Sequence, residues 1–200
     1  MKRSDVEALY YICHIENLPS IIKDGILCYN KAQKLKHQVI HDPFVQERRK
    51  NKKIPAGGRL HDYANLYFNP RNAMMYKKKD LHQEICILII DPKILNATNV
   101  IISDMNASSD YARFYSPKEL DKLDGELIFA RDWRHSNPIE YWRRKSAVCA
   151  EVLVPNFVPS TFIIGVYVSC NESRERVTHL LEDSPLRDQV FVNNDLFFQW

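Results

Sequence analysis

An α+β fold with mainly antiparallel sheets is what this sequence predicts, and three observations predict it. Short apolar runs of strand length outnumber long helical repeats, and they do not alternate with helices in βαβ order. No internal repeat, low-complexity tract or linker rich in Pro, Gly or Ser divides the chain. One domain over residues 1–200 is therefore the simplest organisation, and a chain of that length hides about 70% of its unfolded surface on folding.

The elements follow in order. Residues 8–13 read as a first strand, and Asn17 can cap a short helix that places Leu18, Ile21 and Ile22 at helical spacing before Gly25 supplies a left-handed stop. Residues 30–62 lack sustained periodicity and hold Pro43, Pro55, Gly57 and Gly58, which predicts a long functional loop with one short helix at residues 45–50. Residues 65–68 form a strand that breaks at Asn69 and Pro70, and residues 73–79 a short helix. The unbroken apolar run at residues 84–90 is the pattern of a strand covered on both faces. A strand at 100–103, a helix at 117–123 and strands at 148–154 and 162–168 come next. Ser169 with Glu172 resembles a capping box opening a helix through Val177, Leu180 and Leu181, and residues 189–192 return as a last strand.

Composition sets limits on function. An apolar share of 45% beside 26% charged residues excludes wholesale disorder. The longest clean apolar run, residues 85–90, is far too short to cross a bilayer, and residues 1–5 lead into no signal-like stretch, so a cytoplasmic protein without a membrane contact is expected. The five cysteines lie far apart with no zinc or redox spacing, which suits reduced, buried thiols and no metal. A formal charge of +3 means little as an average, but Arg48, Arg49, Lys50, Lys52 and Lys53 cluster and Lys77, Lys78 and Lys79 follow.

The commonest nucleotide-loop, zinc-protease and hydrolase signatures are missing. Five local groups remain. Around Tyr10, Tyr11, Ile12, Cys13 and His14, the histidine is either a hydrogen-bonded strand end or a catalyst. Gln46, Glu47, Arg48 and Arg49 form either a solvated charged face or part of a site. From His61 to Tyr76, aromatics, an Asn-Pro break and Arg71 crowd the mouth of a strand, as a site or as packing. Glu151 sits inside an apolar strand, where a carboxylate needs a partner: an arginine in a structural ion pair, or a substrate. Residues 131–145 interleave Trp133, Tyr141 and Trp142 with Arg131, Arg134, Arg143, Arg144 and Lys145, which suits either single-stranded nucleic acid or amphipathic packing.

Taken together and in order, these groups resemble the DarT family of DNA ADP-ribosyltransferases, toxins of toxin–antitoxin pairs that share a fold with the poly-ADP-ribose polymerases. The residues that carry the resemblance are Tyr10, Ile12, His14, Ile15, Asn17 and Leu18; Gln46 to Arg49; Gly57, Gly58, Leu60, His61, Asp62 and Tyr63; Tyr67, Phe68, Pro70, Arg71, Met74 and Tyr76; and Ala150, Glu151 and Val152.

The resemblance implies an ADP-ribosyltransferase fold with split, mainly antiparallel sheets, and transfer of ADP-ribose from NAD, consumed as substrate, to thymine or guanine in single-stranded DNA. It implies catalytic roles for Arg49 and Glu151, and NAD contacts at Tyr11, Ile12, Cys13, Arg49 and, by position, Ser20 and Cys28. DNA contacts fall at Arg71, Asn72, Ala73, Met74, Met75, Tyr76 and Lys145. The chain departs from the family at Tyr11, where histidine is common, and at Asn106, which stands where another histidine supports the glutamate; Asn106 can still donate to a carboxylate. The implied partner beyond DNA is an antitoxin, a macrodomain-type ADP-ribosyl hydrolase. Two other readings stay open: a non-catalytic binder of single-stranded nucleic acid, and a metal-independent nuclease built on His14 and His61.

Overall fold

The apolar run at residues 85–90 becomes a strand inside the sheet because both of its faces are covered. The computed structural model describes residues 1–55 and 57–199. In chain order the described elements are β1 (Leu9–His14), α1 (Leu18–Asp24), β2 (Ile26–Leu27), α2 (Tyr29–Ala32), α3 (Pro43–Asn51), β3 (Tyr63–Tyr67), α4 (Ala73–Lys77) and β4 (Ile85–Ile90). They continue with β5 (Ile101–Ser103), β6 (Phe114–Tyr115), α5 (Gly125–Ile128), α6 (Pro138–Ala147), β7 (Glu151–Pro155), β8 (Phe157–Val158), β9 (Ile163–Val168), α7 (Asn171–Leu180) and β10 (Val190–Val192), with 3-10 turns between. None of these helices is long and apolar enough to cross a membrane.

Eight strands join in the order β10-β9-β4-β1-β3-β7-β5-β6, and β2 pairs with β8 in a separate ribbon. Every pairing is antiparallel except β9 with β10. The eight-stranded sheet is nearly two. β1 runs beside β4 for its whole length, and β3 beside β7, but β1 and β3 meet at one register pair, Tyr10 opposite Tyr67. Past that pair the edge of β1 has no ladder partner on the β3 side, which opens a cleft between the two half-sheets.

Alternation along the strands explains the core. Leu9 and Cys13 of β1, Leu66 of β3, Cys86, Leu88 and Ile90 of β4, and Val152 and Val154 of β7 pack on one face, under Leu18 and Ile21 of α1 and Val177 of α7. Ile12, Tyr67, Ile85 and Ile87 point to the other face, against Met75, Trp133, Cys149, Phe197 and Phe198.

Several local expectations change. Residues 148–150 are not strand: Val148, Cys149 and Ala150 complete the turn that ends α6, with N–H groups bonded to Arg144, Ser146 and Ala147 carbonyls, so β7 begins at Glu151. α6 itself was not foreseen, although Asn137 caps Ile139 and Glu140 and Pro138 opens it. The Ser169 box does not form, because the Ser169 hydroxyl donates to the His82 carbonyl and α7 starts after Cys170. Asn17 does not cap α1 with its side chain; it exchanges two hydrogen bonds with the Gln38 backbone and so ties the later loop to the start of α1.

Gly25 ends α1 with φ +81° and ψ 179°, not the left-handed helical conformation. A Cβ there would meet the Val158 carbonyl oxygen at 2.4 Å. Gly25→Ala therefore has to distort the junction of α1 with β8, at a cost of about 1–3 kcal/mol. Thermal unfolding followed by circular dichroism is expected to show a lowered midpoint; an unchanged one contradicts the strain argument.

Candidate active site

The chain concentrates its unusual groups where the half-sheets part. A cleft of about 1170 Å³ is bounded by Tyr11, Ile12 and Cys13 of β1 and by Asn65 and Tyr67 of β3. Its walls carry seven arginine and lysine side chains against two aspartates, Asp42 and Asp104, so the cleft favours anions.

Arg49 reaches the cleft from α3. Asp42 starts that helix by accepting from the Phe44 N–H at 2.9 Å, and Pro43 sits at the first helical position. Gln46 and Arg49, three residues apart, then share one face. Gln46 Oε1 lies 3.1 Å from His61 Nε2, and the His61 ring stacks on Tyr29 with centroids 4.0 Å apart. Burial and then the Arg49 charge lower the His61 pKa below its ordinary value.

Arg49 Nη1 donates to Glu151 Oε1 at 2.9 Å, and the Ala107 N–H donates to the same oxygen at 3.0 Å. Glu151 is fully buried, opposite Tyr67 in the strand register, and its Oε2 has no hydrogen-bond partner. The carboxylate itself does not border the cleft, whereas Arg49 and Tyr67 do. Burial works against the charged guanidinium, but the Glu151 charge and hydrogen bond outweigh it and hold the Arg49 pKa above its ordinary value. Burial first, then Glu151, pushes the Tyr67 hydroxyl pKa up.

Asn106 acts one step removed from the carboxylate. Its Oδ1 accepts from the Ser108 N–H and hydroxyl, and its own N–H donates to the Ser146 carbonyl, which bends the loop so that Ala107 faces Glu151. The loop is held from α3 as well, by Arg48 on the Ser108 carbonyl and Lys52 on the Ser109 carbonyl. A backbone donor such as Ala107 leaves no trace in residue type. Tyr67 did leave one, as part of the Tyr67–Phe68 pair that carries the resemblance, but its place opposite Glu151 is a matter of register that only folding sets.

The other expected contacts divide. Ala73, Met74 and Lys145 border the cleft. Asn72 and Met75 do not, because Asn72 is buried accepting from the Met74 and Met75 N–H groups while Met75 fills the core. Arg71 is engaged with the C-terminal segment through the Asp195 carbonyl and the Phe198 ring, and Tyr76 meets Trp133 and Phe198 edge-on. Ser20 is exposed with its hydroxyl on the Asn17 carbonyl, and Cys28 is buried at the start of α2; neither borders the cleft.

The family described as "DarT: ssDNA thymidine ADP-ribosyltransferase, DarT" matches residues 10–198. The chain belongs to the DarT family. A DarT relative from Thermus sp. strain 2.9, a DNA ADP-ribosyl transferase, is 30% identical over 99% of this chain and all of its own length. A Thermosipho africanus DNA ADP-ribosyl transferase–DNA ADP-ribosyl glycohydrolase fusion protein is 33% identical over 82% of this chain, which spans 43% of that protein. Among solved structures, Thermus sp. 2.9 DarT with ADP-ribosylated single-stranded DNA superposes with a TM-score of 0.84 at 28% identity, covering 96% of this chain and 97% of that one. The same DarT with NAD+ gives a TM-score of 0.79 at 27% identity, covering 96% and 98%.

Removing one partner of the buried pair strands the other charge. Arg49→Met is expected to cost about 3–5 kcal/mol in urea unfolding, and the double variant Arg49→Met/Glu151→Leu clearly less; equal losses would show that the two charges are not coupled. His61 supplies a pH test. Its lowered pKa means that the unfolded chain binds more protons below about pH 6.5, so its contribution is complete above that pH and is lost as the solution is acidified. His61→Gln is expected to flatten that part of a stability–pH profile, which His41, also lowered by burial, would still bend.

Proposed function

We propose that this protein moves ADP-ribose from NAD to the base of thymidine in single-stranded DNA, as a toxin countered by an ADP-ribosyl glycohydrolase. One observation carries the reading: a fully buried carboxylate with one oxygen fixed by Arg49 and Ala107 and the other without a partner, directly behind a cationic cleft. The family description names thymidine, the Thermus structures contain NAD+ and ADP-ribosylated single-stranded DNA, and the Thermosipho relative joins transferase to glycohydrolase.

Loss of nicotinamide breaks the bond to ribose C1′ and leaves the electron pair on the departing ring, so the sugar becomes cationic. Oε2 of Glu151 is the acceptor for the ribose 2′-hydroxyl, and its negative charge matters most as that cation develops. A substrate hydroxyl also supplies the hydrogen bond that this oxygen lacks. Reaching it requires the Arg49 side chain to yield part of its place, since Arg49 and Tyr67 stand between Glu151 and the cleft.

Arg49 stays protonated, because the Glu151 pair holds its pKa up, and so it is not a general base. It steadies the acceptor base as that base attacks C1′ and gives up its N–H proton to solvent. The unpaired edge of β1 at Tyr11, Ile12 and Cys13 offers backbone groups to the nicotinamide carboxamide, and the cationic walls suit the pyrophosphate and the DNA strand. A single transferase domain acting in the cytoplasm fits the five free thiols.

The alternatives account for less. A simple binder accounts for the Arg49–Glu151 pair as a structural tie but gives no role to Glu151 Oε2, the oxygen left without a partner. In the nuclease reading both histidines would act on phosphate, yet His14 Nδ1 accepts from the Glu16 N–H and His61 is stacked on Tyr29.

Incubation with NAD and single-stranded oligonucleotides containing either thymine or guanine, followed by mass spectrometry, is expected to add one ADP-ribose to the thymine strands only. Unmodified strands, or shortened strands without NAD, would overturn the proposal. Glu151→Gln is expected to lower transfer by at least about 10²–10³-fold, with folding checked by circular dichroism.

A further inference from the structure

We propose that α6 carries a stacking site for a nucleobase that flanks the acceptor base, with Trp142 as its platform. The inference rests on single-stranded DNA being the substrate and adds where a neighbouring nucleotide sits.

Ile139, Trp142, Arg143 and Ser146 fall at i, i+3, i+4 and i+7 of α6, and all four border the cleft. The helix therefore presents one continuous face to the cleft. On such an open face polar side chains are expected, yet Trp142 is 64% exposed and Ile139 is 76% exposed. Tyr111, from the loop that carries Asn106, also borders the cleft at 85% exposure. Contiguous apolar groups left in solvent mark a surface that something covers.

Charge decides what covers it. Arg143 and Lys145 lie on the same helix, and Lys77 and Lys78 border the cleft from α4 and the turn after it. The Lys145 ammonium lies over one face of the Trp142 ring, 5.1 Å from its centroid, so a base stacks on the other face of the indole or displaces the ammonium, and either way its phosphate comes close to a cation. A flat ring beside ammonium and guanidinium groups is the arrangement that holds single-stranded nucleic acid. The other aromatic side chains of this stretch serve packing: Trp133 is buried against Phe198 and Tyr76, and Tyr141 packs half-buried on the same core cluster. The platform is also tied to the chemistry, because Ser146 on its face accepts the Asn106 N–H that sets the Ala107 donor on Glu151.

The test measures binding of a thymine-containing oligonucleotide without NAD, by fluorescence anisotropy, alongside a series in which one flanking base at a time is replaced by an abasic site. Trp142→Ala is expected to weaken binding by about 5- to 150-fold, the range for loss of one base–aromatic stack, and Trp142→Tyr to restore most of it. At one flanking position the abasic change is expected to weaken the wild type but add nothing in Trp142→Ala. Circular dichroism of both variants should match the wild type, which separates lost stacking from lost folding. Equal sensitivity of wild type and Trp142→Ala at every abasic position overturns the stacking site, as does wild-type affinity in Trp142→Ala, including the case in which only a protein partner loses affinity. If wild type binds DNA in this pattern but transfers nothing, the reaction proposal fails and the stacking site stands; if it transfers but Trp142 is silent, the reverse holds.

Discussion

The ion pair between Arg49 and Glu151 is the constraint on which the rest of this structure depends. Two opposite charges sit together out of water, and each would be costly alone. Their attraction fixes α3, a helix in an otherwise irregular stretch, against the first residue of β7, more than a hundred positions later in the chain. The same oxygen that holds Arg49 also holds Ala107, so one carboxylate joins three separate segments at the end of the cleft. The second oxygen remains unsatisfied, and a buried acceptor without a donor stores free energy that a bound hydroxyl can release.

The second constraint is the break in the sheet. Had β1 and β3 paired along their lengths, the cleft would close and the Tyr11, Ile12 and Cys13 backbone would be consumed by the ladder. Their single contact, Tyr10 with Tyr67, keeps the half-sheets together while leaving an edge open beside the carboxylate. Tight packing beneath, with Leu66, Leu88 and Val152 fully buried, lets the sheet tolerate this missing ladder. Anion-favouring side chains then line a gap that already exists for topological reasons.

Much of this was legible in the residues. The continuous apolar run of β4, the isolated Glu151 among apolar neighbours, and the Q-E-R-R spacing that turns Gln46 and Arg49 to one side all carry local signals, and the family resemblance assembled them in the right order. Legibility failed where a residue's role comes from its neighbours in space. Asn72, Met75 and Arg71 stand in the run that the resemblance assigns to DNA, and no local pattern shows that their side chains also cap α4, fill the core and hold the C-terminal segment. Asn106 looked like a donor to the carboxylate, and its side chain instead shapes the loop that presents a backbone donor. Ser169 and Asn17 looked like caps and became tethers, because distant carbonyl and amide groups needed partners more than the helix ends did.

By itself the sequence determined which segments are apolar on one side or both, which charge stands isolated in a strand, and the family to which these spacings point, since periodicity and turn chemistry are local properties of the chain. Only the tertiary structure decided that Arg49 is the partner of Glu151, that one oxygen is left over, that the cleft opens between β1 and β3, and that Trp142 faces it while Trp133 does not. Those outcomes depend on register and on distances between residues far apart in the chain, which no local pattern encodes.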